Sequence, residues 1–243
     1  MILPYKDVNP TSTFPYVTVA IIVLNVLLFA GQVYMDATQG SEQSVNQFGF
    51  RPAALISPGR EAPGASPLLT LILSMFMHGG ILHIFGNMLY LWIFGDNIED
   101  IMGHGFYLMF YITGGLLATL THTLFNPESN VPMIGASGAV AAVLGAYLVL
   151  YPQAKVKTFV WLFIIYMTTL YIPAWVLIGM FVATNLFMGV ISMASPEPSG
   201  VAWFAHLGGL GFGILLAIPF RSRLSHVRGP GTRFDHWPRE WRL

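Results

Sequence analysis

Residues 15–35 carry no charged side chain, and runs of the same kind recur down to residue 220. This pattern rules out most folds. Backbone N–H and C=O groups surrounded by lipid have no water to bond, so such a segment must satisfy them internally. A helix does so along its own length, and about 20 apolar residues carry one across a bilayer. Residues 15–35, 81–101, 106–125, 174–193 and 201–220 read as helices of that kind, and residues 137–151 as a shorter one. Composition agrees: 9% of the side chains are charged, against about 25% in soluble domains. The expected fold class is all-α, a polytopic membrane bundle of six transmembrane helices.

The expected organisation is a short cytoplasmic segment 1–13, a membrane domain 14–220 and a basic cytoplasmic tail 221–243. The first apolar run has spanning length and no small-residue cleavage site, so it reads as a retained helix rather than a signal. Residues 36–66 form a long loop. Residues 68–77 are apolar but too short to cross, and are expected at the interface. Charge sets the orientation. Lys6, Lys155, Lys157 and six arginines of the tail fall on one side, and only Arg51 and Arg60 on the other. Positive residues favour the cytoplasmic face. An even number of spans satisfies this, provided that the apolar segment 156–172 is re-entrant or interfacial. Spans two, four and six then all descend from the outer face, each with its polar residues near its start. The absence of Cys excludes thiol catalysis, Cys-ligated metals and disulfides. A net charge of +0 gives no sign of a nucleic-acid partner.

The polar residues in question are few. Ser137 stands in Gly135-Ala136-Ser137-Gly138, at a loop-to-helix junction where free N–H groups point outward. The motif is not the G-x-S-x-G elbow of soluble hydrolases, because Ala139 occupies the last glycine position. A helix from Ser137 to residue 151 covers only about 22 Å of a ~30 Å core. Ser137 should therefore lie below the membrane surface, at the floor of a cavity. His206 precedes Gly209 and Gly213, a small-residue face able to press against another helix backbone. Gly138, Ala142 and Gly145 offer the matching face, and packing the two brings His206 to Ser137. A histidine there can take the serine proton and pass it to a leaving amine. His83 and Asn87, four residues apart on one helix face, are candidate donors to an oxyanion. Paired histidines also bind zinc, but the HExxH glutamate is missing and no third ligand is evident, so no metal and no cofactor are expected. Asp96 and Asp100 lie at the far end of their span, which leaves a Ser–His dyad.

Three motifs, His78-x4-His83-x3-Asn87, Gly135-Ala136-Ser137-Gly138 and Ala205-His206-Leu207-Gly208-Gly209, occur in this order on spans two, four and six. Together with Gly95-Asp96-Asn97-Ile98-Glu99-Asp100, they resemble the rhomboid intramembrane serine proteases of the prokaryotic six-span kind, over about residues 45–215. The resemblance implies Ser137 as nucleophile and His206 as general base. It implies an oxyanion site of His83, Asn87 and the Ser137 backbone N–H. It also implies single-span membrane proteins as substrates and an inner-membrane location with both termini cytoplasmic. The fifth span and the loop 194–200 would form the gate and cap. Two features depart from the family pattern. Phe50-Arg51-Pro52 stands where many members have Trp-Arg. Ala141 stands where some have an aromatic residue against the histidine, so His206 should lean on Phe204 or Trp203 instead. Two other classes compete: a proteolytically inactive rhomboid-like client-binding protein, and a channel or transporter, which should show repeats or more intramembrane charge.

Overall fold

The computed structural model describes residues 2–56, 65–162, 166–194 and 202–222. Its main helices are α1 (Tyr16–Gln39), α5 (Ile81–Met102), α6 (His104–Phe125), α7 (Ser137–Leu150), α8 (Ala174–Ala194) and α9 (Trp203–Ala217). Three short helices, α2 (Gln43–Phe48), α3 (Pro52–Ile56) and α4 (Pro67–Leu73), occupy the region between α1 and α5. By length and composition, four helices (α1, α6, α8 and α9 with its 3-10 extension) can each cross a membrane. A fifth crossing arises if α4, its 3-10 turn and α5 count as one span bent by 79°. The remaining helix, α7, has 14 residues and is shorter than the bilayer core. The helical membrane bundle expected from the sequence is the architecture found.

The bundle is arranged around α7, whose residues from Gly138 to Tyr147 are all buried. It packs most extensively against α9, and also against α5 and α6. Many apolar side chains of the surrounding helices point outward, among them Leu27, Tyr34, Met109 and Phe187. In water such a surface would aggregate; in lipid it is solvated. Contacts at the helix ends fix the directions. Ser12 and Thr13, just ahead of α1, bond Asp100 at the end of α5. Phe106 at the start of α6 meets Phe220 after α9. At the other end of the bundle, Phe125 at the close of α6 stacks on Phe204 at the opening of α9. Helices α5, α7 and α9 therefore run in one direction, opposite to α1 and α6.

One segment differs from expectation. The described residues of the segment 156–172, 156–162 and 166–172, are strands where an all-α fold was expected. They belong to a hairpin of β2 (Lys155–Leu162) and β3 (Tyr166–Pro173), which pairs antiparallel with β1 (Ile2–Asp7) in the order β1-β2-β3. The physical reason lies in the side chains. Val156, Thr158 and Val160 are buried while Lys155, Lys157 and Trp161 are not, which is a period of two rather than 3.6. Branched and aromatic residues suit a pleated surface. The expected polar start of the chain thus contains an edge strand. Arg60, residues 195–200 of the proposed cap and residues 223–243 of the basic tail lie outside the described residues.

Two polar clusters hold the sheet end of the bundle. Glu99 of α5 is fully buried and accepts the Val17 and Thr18 N–H groups at 2.9 and 2.8 Å and the Thr18 hydroxyl at 2.7 Å. Its other neighbour is His104, with Nδ1 at 2.6 Å from Oε1. A carboxylate from another helix thereby caps the first turn of α1, where donors lack intrahelical partners. The second cluster surrounds Asp7, which is 4% exposed. Its Oδ2 accepts the Tyr147 hydroxyl at 2.7 Å and Asn97 Nδ2 at 2.9 Å. Burial, reinforced by Asp96, pushes the Asp7 carboxyl up to about 8, against the opposing pull of the Tyr147 bond.

Two predictions follow from these clusters. Replacing Glu99 by Ala strands two buried donors and removes a cap, at a cost of roughly 2–4 kcal/mol; the check is a lower unfolding transition in detergent. For Asp7, the folded state holds its proton more tightly than the unfolded chain. Its contribution is therefore fully present below the ordinary 3.8 and is lost as pH rises towards about 8. The wild-type transition should fall across that window, and Asp7→Asn should flatten the fall.

Candidate active site

Ser137 is the first residue of α7, preceded by Gly135 at φ +119°. That backbone conformation suits glycine, and a Cβ at Gly135 would also lie 2.8 Å from His83 Nε2. The loop is held from outside. Gly135 N–H donates to the Ser74 carbonyl at 2.8 Å. Phe50 and Met133 exchange two backbone bonds at 3.0 and 2.7 Å, and Phe50 is fully buried. Phe50 and Arg51 thus supply the anchoring of the long loop: Arg51 donates to the Asn46 carbonyl and to Asn46 Oδ1, both at 3.0 Å.

Contact between α7 and α9 sets the position of the histidine. A methyl at Gly209 would strike the Gly138 carbonyl, one at Gly213 the Ala142 carbonyl, and one at Gly145 the Leu210 carbonyl. The two small faces expected from the sequence are therefore in backbone contact. One turn before Gly209, His206 Nε2 lies 2.7 Å from Ser137 Oγ. Both residues are only half-buried.

Of the expected oxyanion donors, His83 lies against Gly135, two residues before Ser137. His83 Nδ1 accepts the Gly79 N–H at 3.2 Å. A neutral imidazole that accepts at Nδ1 carries its proton on Nε2. That N–H faces Gly135, where a Cβ would be 3.7 Å from Ser137 Oγ. Asn87 is 7% exposed, and its Nδ2 has no partner within the protein. A buried amide left without an acceptor is costly unless something supplies one. The first N–H groups of α7, including that of Ser137, also lack intrahelical acceptors. Such N–H groups can serve as donors to an anion formed next to Ser137 Oγ.

Of the other histidines, three are described. His78 is fully buried, its backbone clasped by Gln32, with its ring edge-on to His83 at 5.1 Å. His104 bonds Glu99 and His122 faces Phe204. His226 and His236 lie outside the described residues. Around His206, Trp203 stands edge-on at 6.3 Å, whereas Phe204 turns away to stack on Phe125. Phe181 of α8 supplies the other ring, at 5.7 Å. Sequence reasoning missed Phe181, and it missed Asn185 on the same helix, whose Oδ1 lies 2.5 Å from His206 Nδ1. The available signal was weak: Asn185 is a lone amide in an apolar span, and such residues usually face a partner.

Residues 65–223 match the family described as the Rhomboid domain. The chain belongs to the rhomboid family. Among its relatives, the rhomboid protease GluP of Bacillus subtilis is 29% identical over 58% of this chain and 25% of its own length. Presenilin-associated rhomboid-like protein A, mitochondrial, of Danio rerio is 34% identical over 36% of this chain and 23% of its own. RHOMBOID-like protein 1 of Arabidopsis thaliana is 27% identical over 86% and 54%. This rhomboid chain therefore spans between a quarter and about half of the length of these relatives.

A test of the helix contact needs no change to the polar groups. Gly213→Ala drives a methyl into the Ala142 backbone and should destabilise the rhomboid fold by roughly 1–3 kcal/mol. It should also disturb the Ser137–His206 contact, read as slower labelling by a serine-directed reagent. Gly211→Ala, with open space at its Cβ, is the control and should change neither.

Proposed function

We propose that the chain is an intramembrane serine endopeptidase that cleaves single-span membrane proteins near the outer end of their transmembrane helix. The observation that carries this reading is the 2.7 Å approach of Ser137 Oγ to His206 Nε2; the buried, unpartnered Nδ2 of Asn87 supports it. Ser137 Oγ attacks the scissile carbonyl carbon while its proton passes to Nε2. The carbonyl oxygen becomes an anion held by Asn87 Nδ2, His83 Nε2–H and the Ser137 N–H. As the intermediate collapses, the C–N bond breaks and the leaving amine takes the proton from His206. Water then attacks the acyl-enzyme, again losing its proton to Nε2, and Ser137 regains it on release of the carboxylic acid.

The bilayer dictates the substrate class. A helix hides its peptide bonds, so a transmembrane substrate must unwind locally at the cut. Small residues there suit a floor built on Gly135 and Gly138, and helix breakers beyond it favour unwinding. Helix α8 is the entry side. The sheet and the basic tail lie on the cytoplasmic side of a prokaryotic inner membrane, with the site opening to the other face.

The decisive experiment uses purified protein in liposomes with a tagged single-span substrate. Wild type should cleave it and react with a fluorophosphonate. Ser137→Ala and His206→Ala should lower cleavage by roughly 10³-fold or more, and Ser137→Ala should abolish labelling. Stable, folded wild type that neither cleaves nor labels would overturn the reading in favour of a client-binding protein.

A further inference from the structure

Asn185 lies midway along α8, a helix with few polar residues, and is 3% exposed. Its amide orientation is determined by its surroundings. Nδ2 donates to the Phe181 carbonyl at 2.7 Å, so the atom turned towards His206 is Oδ1. A carboxamide oxygen only accepts. His206 Nδ1 therefore carries the proton in this contact, and the neutral ring presents a lone pair at Nε2, the atom 2.7 Å from Ser137 Oγ. Phe181, one turn earlier, rests its ring against the same imidazole.

We propose that Asn185 is a positioning residue for His206: it selects the Nδ1–H tautomer and aims Nε2 at Ser137. This rests on the reading of the site as a serine protease. The chemistry requires such a group. An imidazole free to exchange tautomers spends part of its time with a proton on Nε2, where it cannot take one from serine. A carboxylate would serve the same purpose but would place a charge on a lipid-facing helix. An amide fixes the tautomer without one. The acceptor comes from α8 rather than from the helices that carry the dyad, so the state of His206 depends on where α8 sits.

The test compares wild type with Asn185→Leu, which keeps the volume and removes the acceptor, and Asn185→Asp, which restores an acceptor. In liposomes, Asn185→Leu should lower kcat by roughly tenfold or more with KM within about twofold, and slow fluorophosphonate labelling in parallel. Asn185→Asp should recover most of that loss. A merely structural role predicts the reverse, since leucine suits an apolar helix better than aspartate. Nitrogen-15 NMR of histidine-labelled protein gives a readout independent of turnover, with the His206 signals assigned by their loss in His206→Gln. Wild type should show a protonated Nδ1 and Asn185→Leu a mixture of tautomers. An unprotonated Nδ1 in wild type, or an Asn185→Leu variant with unchanged kcat and tautomer, would overturn the proposal. Wild type with the expected tautomer but no cleavage and no labelling would instead count against the protease reading alone.

Discussion

Two helices meet backbone to backbone where α7 crosses α9, and the remainder of the site depends on that approach. Lipid gives no hydrophobic reward for bringing helices together, because the hydrocarbon is as apolar as the side chains. Close contact must come from dispersion between surfaces that fit, and each atom pair contributes little. Glycine at 145, 209 and 213 removes the side chains that would hold the axes apart, and Gly138 does the same against Ala118 of α6. A serine and a histidine 69 residues apart in sequence can then meet at hydrogen-bond distance. A displacement of about 1 Å at such a pair is enough to cost much of a reaction rate.

The two ends of the bundle solve different problems. At the sheet end, Glu99 is spent on Val17, Thr18 and His104, while Asp7 takes up the donors of Asn97 and Tyr147. At the opposite end, Asn87 and the first turn of α7 keep donors unspent. Unspent donors are tolerable only on a scaffold that cannot collapse onto them. The Phe50–Met133 bridge and the Gly135–Ser74 bond supply that scaffold. The long region between α1 and α5 therefore acts as a brace for the residues ahead of Ser137.

What could be read from the sequence follows from how local each signal is. The serine, the histidine and the small faces that join them were legible because intramembrane polar residues are rare and small residues repeat at helical spacing. The hairpin was not legible. Hydropathy over residues 156–172 averages away the alternation of Val156, Thr158 and Val160 with Lys157 and Trp161, and the partner strand lies at the other end of the chain. Asn185 was hidden for a related reason. One amide in an apolar helix shows where a partner is needed, but the identity of that partner is a matter of packing. The turn of Phe204 towards Phe125 likewise depends on how α6 and α9 lie together, which no local pattern encodes.

Strand β1 finds its neighbour in β2, with Leu3 opposite Phe159 and Asp7 opposite Val156. During synthesis the first strand must wait for four of the bundle helices, α1, α5, α6 and α7, to be made before any pairing is available to it. At about 5–20 residues per second, the wait is on the order of ten seconds. Throughout that interval the strand has an unpaired backbone edge. Closure of the sheet comes late, and it ties the newly inserted helices to the first residues made.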